Sequence, residues 1–198
     1  MSSGQERQNS GEPPLFNIAN VLTVIRLILV PLFIVVYWSD APMRAAIAFA
    51  IFVIAAVTDK LDGYLARSRG LVTNFGKLAD SIADKALISA ALIMLSLHGY
   101  LWWWVTVLMI GRELLITAVR MSVVKKYVMP AGMGGKVKMV FQSLGIGALL
   151  IPWRAWIPWW YCEIFMWFGY VMLAIALYYS LTSAYGYIRD AWRIAHEQ

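Results

Sequence analysis

Four aspartates lie in an otherwise apolar stretch, at spacings suited to holding metal ions: Asp59, Asp62, Asp80 and Asp84. The first two are three residues apart and the last two are four apart, so each pair shares one face of a helix. Carboxylates are costly near a bilayer and persist there mainly where they coordinate, pair or react. Oxygen ligands without histidine or cysteine favour Mg²⁺ or Mn²⁺, and two such ions suit phosphoryl chemistry.

Ion pairing is the alternative explanation for these acids. Nearby basic residues are available at Lys60, Arg67, Lys77 and Lys85. Such pairs account for one or two of the aspartates, but they explain poorly why four acids occupy two matched faces. The pattern therefore predicts an enzyme with a metal site.

The rest of the chain indicates the scaffold that holds the acids. It has 198 residues, of which 61% are hydrophobic and 14% charged, whereas a soluble domain is about half apolar and a quarter charged. We expect an all-α, polytopic membrane protein, a bundle of six transmembrane helices without a second soluble domain. The predicted spans cover residues 20–38, 44–66, 78–98, 102–124, 136–152 and 162–188. The short connection after the second span lets spans two and three run antiparallel, which brings the two acid pairs together.

Both ends of the chain are polar. We expect residues 1–14 to form a disordered tail, and they lack the pattern of a signal peptide. Residues 15–188 are predicted to form the membrane domain, and residues 189–198 a C-terminal tail. Asn20 is a candidate N-cap for the first helix. Basic residues concentrate in the loops on the side of the termini, which predicts that both termini and the acids face the cytoplasm of a cell membrane. Two tryptophan-rich segments, 102–104 and 153–160, then form an outer interfacial belt.

Other features carry less chemistry. The net charge of +6 fits cytoplasmic loops and anionic lipid headgroups, and no nucleic-acid-binding module is recognisable. The single cysteine, Cys162, is expected to be a packed residue. His98 and His196 are far apart, so neither is expected to bind a metal.

The acidic segment D-x2-D-G-x2-A-R-x8-G-x3-D-x3-D, residues 59–84, resembles the signature of the CDP-alcohol phosphotransferase family. The resemblance implies a six-helix bundle whose site faces the cytoplasm, with two divalent ions on the four aspartates. It implies that Asp84 is the base that deprotonates the acceptor hydroxyl. It also implies that Gly63 and Arg67 help to hold the CDP group, and that Thr73 contacts the donor. From the residues alone, Gly76 permits close approach of a substrate and Thr58 offers a hydroxyl.

The segment NIANVLTVIRLILVP, residues 17–31, is similar to the opening N-x-P-N-x-L-T-x-x-R of the glycerol-phosphate branch of the family. Ala19 replaces the proline of that pattern, a change expected to affect the lead-in more than the chemistry. Arg26 lies inside an apolar span and must find an anionic partner, either a site carboxylate or a phosphate. The predicted residues that bind CDP-diacylglycerol are Asn20, Thr23, Arg26, Thr58, Gly63, Arg67, Thr73 and Gly76.

Two later segments predict a site for an anionic acceptor. GRELLITAVR, residues 111–120, and GGKVKMVFQ, residues 134–142, are similar to the G/A-R-E and G-K-x-K-T-x-x-Q of the same branch, with Met139 in place of threonine. The candidate ligands for the acceptor phosphate are Arg112, Arg120, Lys136 and Lys138. Glu113 is expected to form a structural ion pair with an arginine. Ser81 replaces a proline common in relatives, without an expected loss of activity.

The resemblance implies transfer of a phosphatidyl group from CDP-diacylglycerol to glycerol 3-phosphate, with release of CMP, by a protein that forms a homodimer. Inositol phosphate, phosphatidylglycerol and serine are alternative acceptors within the family. A divalent-cation transporter also keeps acids in a membrane, but such proteins show repeats or paired broken helices, which this sequence lacks. A catalytically inactive scaffold is disfavoured by the complete set of acids.

Overall fold

The structure, a computed structural model, describes residues 18–39, 41–68, 74–123 and 133–196. These residues form helices and no strands, which confirms the all-α prediction. The helices are α1 (Ile18–Val36), α2 (Pro42–Ser68), α3 (Asn74–Leu97), α4 (Trp103–Val123), α5 (Met133–Leu150), α6 (Trp153–Trp156) and α7 (Trp159–His196). The six long helices lie where the sequence predicted spans, and α6 is a single additional turn.

Two predicted boundaries differ from the structure. Helix α1 begins at Ile18, so Asn20 lies within its first turn and is not the N-cap, a residue that adopts non-helical backbone angles. Helix α7 begins directly after Pro158 and continues to His196, so residues 189–196 extend the helix instead of leaving it. No proline interrupts the sequence after Ser183, and polarity alone does not end a helix.

The inner face of α1 is a regular stripe that packs against α2 and α3. Its buried residues follow one another at intervals of three and four: Thr23, Arg26, Val30, Phe33 and Tyr37. This is the spacing at which side chains share one face of a helix. The stripe changes from polar to aromatic along its length, and the polar groups lie in the second and third turns of α1, where Arg26 meets the acid-bearing end of α2.

Helices α5 and α7 make the most extensive helix–helix contact in the described part of the chain. Glycines allow this approach. A Cβ atom at Gly145 would lie 2.7 Å from Leu173 Cγ and 3.0 Å from the Gly169 carbonyl oxygen, and one at Gly169 would lie 2.9 Å from Leu149 Cδ2. Small residues at such positions let helix backbones come together in membrane proteins. The contact fixes α5 against α7, and the α5–α7 pair carries part of the candidate site described below.

The outer surface of the bundle is apolar. Large hydrophobic side chains are exposed along every long helix, among them Ile28, Val35, Val107, Leu114 and Ile164, each above 60%. Two helices contain windows long and apolar enough to cross a bilayer, at Pro42–Asp59 and Trp159–Ala184, and α1 and α5 contain shorter apolar stretches. An exposed apolar surface of this extent marks a protein that contacts lipid or other proteins.

Aromatic side chains gather at the end of the bundle remote from the aspartates. The Tyr170 hydroxyl donates to the Tyr100 carbonyl at 3.0 Å, and the rings of Trp102 and Tyr170 lie 5.5 Å apart. Nearby, His98 Nδ1 lies 2.8 Å from the Met94 carbonyl and its ring packs on Tyr37. These contacts give His98 a structural role. Cys162 is 1% exposed, which confirms that it is a packed residue.

Candidate active site

The acids of the motif lie on two helices in contact, α2 and α3. Asp59 and Asp62 occupy successive turns near the end of α2, and Asp80 and Asp84 occupy successive turns near the start of α3. The side chains of Asp59 and Asp84 are half-buried, whereas those of Asp62 and Asp80 lie outside the described part of the structure. Among the side chains that are described, no group of three or more metal ligands occurs. The metal site of four aspartates therefore stays a prediction.

Arg26 forms an ion pair with Asp59 across the contact between α1 and α2. Its Nη1 lies 2.8 Å from Asp59 Oδ1, and the two side chains are 0% and 26% exposed. This confirms the expectation that Arg26 finds a site carboxylate. One partner of Asp59 is thus an arginine 33 residues earlier in the chain. A carboxylate offers about four lone-pair sites, so this contact is compatible with coordination of a divalent ion.

The structure describes some of the other residues predicted to bind CDP-diacylglycerol. Thr23 is buried one turn before Arg26 on the same face of α1. The Thr58 hydroxyl donates to carbonyls of its own helix, Ile54 and Ala55, each at 2.9 Å. Thr73 lies outside the residues that the structure describes. The surroundings of four further predicted residues are also not described: Asn20, Gly63, Arg67 and Gly76.

A compact ionic cluster connects α4, α5 and α7. The Lys138 ammonium, on a residue 5% exposed, pairs with the Glu113 carboxylate. Arg112 Nη1 lies 3.4 Å from the same carboxylate oxygen, and Arg112 Nε donates to the Ser180 carbonyl at 2.9 Å. The predicted pairing of Glu113 with an arginine is confirmed, and Lys138 is a second partner of the same carboxylate. Of the other two predicted acceptor ligands, Arg120 lies on α4 and Lys136 on α5, with side chains outside the description.

The ionic cluster lies near Asp84 of the acidic motif. The Lys138 ammonium lies within electrostatic range of Asp84, Arg112 and Lys85. Lys85, next to Asp84 in α3, donates to the Thr117 hydroxyl of α4 at 2.7 Å. The carboxylate predicted to act as the base therefore lies within electrostatic range of Lys138, one of the cations predicted to bind an anionic acceptor.

One buried polar residue of this region was not assigned a role from the sequence. Gln142, on α5, is 2% exposed, and its Nε2 atom has no hydrogen-bond partner. A signal was present, because Gln142 closes the segment GGKVKMVFQ four residues after Lys138. That spacing places both residues on one face of a helix.

Comparisons with known proteins show the family to which the chain belongs. A sequence model of the CDP-alcohol phosphatidyltransferase family matches residues 16–178. A probable phosphatidylglycerophosphate synthase of Mycobacterium tuberculosis is 45% identical over 148 residues, 73% of this chain and 71% of the relative. A CDP-diacylglycerol–glycerol-3-phosphate 3-phosphatidyltransferase of Bacillus subtilis is 31% identical over 90% of this chain and 96% of its own length. One of the same description from Escherichia coli is 39% identical over 70% of this chain and 78% of its own length. The chain belongs to the CDP-alcohol phosphatidyltransferase family.

Proposed function

We propose that this chain transfers a phosphatidyl group from CDP-diacylglycerol to glycerol 3-phosphate, producing phosphatidylglycerophosphate and CMP. The observation that carries the proposal is that Asp84 lies within electrostatic range of Lys138, which pairs with Glu113 in the Lys138–Glu113–Arg112 cluster. A carboxylate suited to removing a proton then lies next to cations suited to binding a phosphorylated alcohol. Two of the relatives above are described by this reaction, which supports glycerol 3-phosphate as the acceptor.

The reaction requires one proton transfer and one displacement at phosphorus. Asp84 accepts the proton of the acceptor hydroxyl, the hydroxyl oxygen attacks the phosphorus that carries the diacylglycerol, and the bond to the CMP oxygen breaks. Two Mg²⁺ or Mn²⁺ ions held by Asp59, Asp62, Asp80 and Asp84 would neutralise charge on the phosphates. Arg26 orients Asp59 through the contact at 2.8 Å, so it acts on the site as a positioning residue.

The cations of the ionic cluster support a soluble phosphate ester as the acceptor. Arg112 and Lys138 supply two buried or half-buried cations, partly balanced by Glu113. Arg120 and Lys136 are proposed to add two more at the cytoplasmic opening. A phosphorylated alcohol matches this charge, whereas phosphatidylglycerol would require a second groove for its acyl chains. Inositol phosphate carries the same anionic group and is the acceptor that an experiment has to separate from glycerol 3-phosphate.

The proposed placement in the membrane follows from the surface. The six long helices span the bilayer, the acids and both termini face the cytoplasm, and the aromatic end faces outward. The apolar exterior of the described helices supports this arrangement, as does the excess of basic residues in the loops beside the acids. The donor's acyl chains then enter between helices from the inner leaflet, and glycerol 3-phosphate enters from the cytoplasm. A homodimer is proposed only by analogy with the family.

The direct test measures acceptor-dependent release of CMP. Purified protein in detergent is incubated with CDP-diacylglycerol and Mg²⁺ or Mn²⁺, with glycerol 3-phosphate or inositol phosphate supplied separately. We expect CMP and lipid product with glycerol 3-phosphate, and loss of both in Asp84→Asn and on addition of a chelator. Activity with inositol phosphate alone would keep the site but overturn the acceptor. An equally active Asp84→Asn variant would refute the role of the base.

A further inference from the structure

Gln142 is a buried residue whose amide nitrogen, Nε2, has no hydrogen-bond partner in the described part of the chain. The residue is 2% exposed. Leaving such a donor unpaired in an apolar interior costs about 1–3 kcal/mol, so native proteins rarely keep one without a reason. The Ser180 hydroxyl, fully buried on α7, is also without a partner. The carbonyl of the same serine accepts from Arg112, which places this second polar atom beside the ionic cluster.

Gln142 lies deeper in the helix bundle than Asp59. Helix α5 runs antiparallel to α2, and Gly147 faces Phe49 of α2. With the rise of about 1.5 Å per residue in both helices, Gln142 lies level with Ile54 and Ala55, about one turn farther from the cytoplasmic opening than Asp59. It lies one turn beyond Lys138 on the same face of α5. An acceptor bound between Lys138 and Asp84 would have this amide beneath it.

The chemistry of the acceptor leaves one group for this amide. The phosphate of glycerol 3-phosphate is matched by Arg112 and Lys138, and the reacting hydroxyl is matched by Asp84. The middle hydroxyl is neutral, and a neutral amide N–H is a suitable donor to its oxygen. We propose that Gln142 donates a hydrogen bond to the non-reacting hydroxyl of the acceptor and is therefore a specificity-determining residue. This inference rests on the proposed function.

The test compares two acceptors that differ only in that hydroxyl, glycerol 3-phosphate and 3-hydroxypropyl phosphate. Gln142→Met keeps the length of the side chain and removes the amide. We expect its kcat/KM with glycerol 3-phosphate to fall by about 10- to 100-fold, because a site built to hydrogen-bond a hydroxyl discriminates strongly against its loss. Its kcat/KM with 3-hydroxypropyl phosphate should stay within about twofold of the unmodified protein, since the contact is already absent there.

Thermal stability separates a ligand-binding role from a structural one. Removing an unpaired buried donor does not destabilise a protein, so the Gln142→Met midpoint in detergent should be unchanged or higher. Met139→Leu, at an exposed position of the same helix, is the matched control and should leave both acceptors unaffected. Gln142→Leu is the second variant if the methionine variant does not fold.

Three results would overturn the inference. They are full activity of Gln142→Met with glycerol 3-phosphate, an equal loss with both acceptors, or a large drop in thermal midpoint in both Gln142 variants. Inactivity of the unmodified protein with glycerol 3-phosphate would instead refute the proposed function, and the inference with it. The unmodified protein thus distinguishes the two failures.

Discussion

The glycine contact between α5 and α7 gives a prediction whose size follows from the structure. In Gly145→Ala, the new methyl group would lie 2.7 Å from Leu173 Cγ and 3.0 Å from the Gly169 carbonyl oxygen. Leu173 is 2% exposed and the carbonyl belongs to the backbone, so neither can move aside freely. Overpacking of this kind costs about 1–3 kcal/mol, against a gain of about 0.5–1 kcal/mol from replacing a helical glycine. We expect a net destabilisation of about 1–2 kcal/mol.

Gly147→Ala is the matched control on the same helix. A methyl group there meets only Phe49 Cε2, at 3.6 Å, which is an ordinary van der Waals contact. This variant should be stabilised by up to about 1 kcal/mol, because only the gain in helix propensity remains. At about 2–4 °C per kcal/mol for a chain of this size, thermal midpoints in detergent should differ by about 2–12 °C between the two variants.

Activity provides a second measurement of the same contact. Lys138 and Ser180 are carried by the two helices that meet at Gly145, so separating the helices shifts the ionic cluster. We expect kcat/KM for glycerol 3-phosphate to fall in Gly145→Ala and to be retained in Gly147→Ala. Equal thermal midpoints for the two variants would refute the reasoning, since it requires the helices to be in contact at Gly145 and not at Gly147.

Two further predictions concern opposite ends of the bundle. Arg26→Met removes the arginine partner of Asp59 and leaves that carboxylate misoriented. We expect kcat to fall by about 10- to 100-fold and the Mg²⁺ concentration for half-maximal rate to rise in a metal titration. An unchanged metal requirement would contradict the positioning role. Thr106→Val breaks the buried hydrogen bond of 2.6 Å with Ser96. We expect the thermal midpoint to fall by the equivalent of about 1–3 kcal/mol, while kcat remains within about twofold of the unmodified protein. A loss of kcat without a loss of stability would contradict the assignment of this pair to structure alone.

The sequence predicted the helices well because their signals are local. Apolar runs separated by proline and glycine placed six long helices, and the motif placed two acids on each of α2 and α3. The N-cap prediction for Asn20 was wrong. The sequence alone does not distinguish an asparagine that caps a helix from one that lies in its first turn. Helix α7 continues beyond the predicted span of 162–188, because a polar sequence without proline remains helical and hydrophobicity does not record that.

Partners across helices could be predicted only by type. The buried charge of Arg26 required an anion, but the choice of Asp59 depends on how α1 packs against α2. The pairing of Glu113 with Lys138, and the bond from Arg112 to the Ser180 carbonyl 68 residues away, depend on the packing of α4, α5 and α7. Gln142 attracted no assignment because an amide in an apolar helix has many explanations until its surroundings show that its donor is unpaired.

The ion pair between Arg26 and Asp59 also bears on how the chain enters the bilayer. An arginine near the middle of a lone helix raises the free energy of insertion by about 2.5–3.5 kcal/mol, and its neutralising partner is carried by the following helix. Since α1 and α2 are consecutive, they can enter as a hairpin in which each helix masks the charge of the other. Under the proposed placement in the membrane, the Arg26–Asp59 pair would form as the two helices insert, so we expect a substitution that impairs the pair to lower the amount of inserted protein as well as kcat.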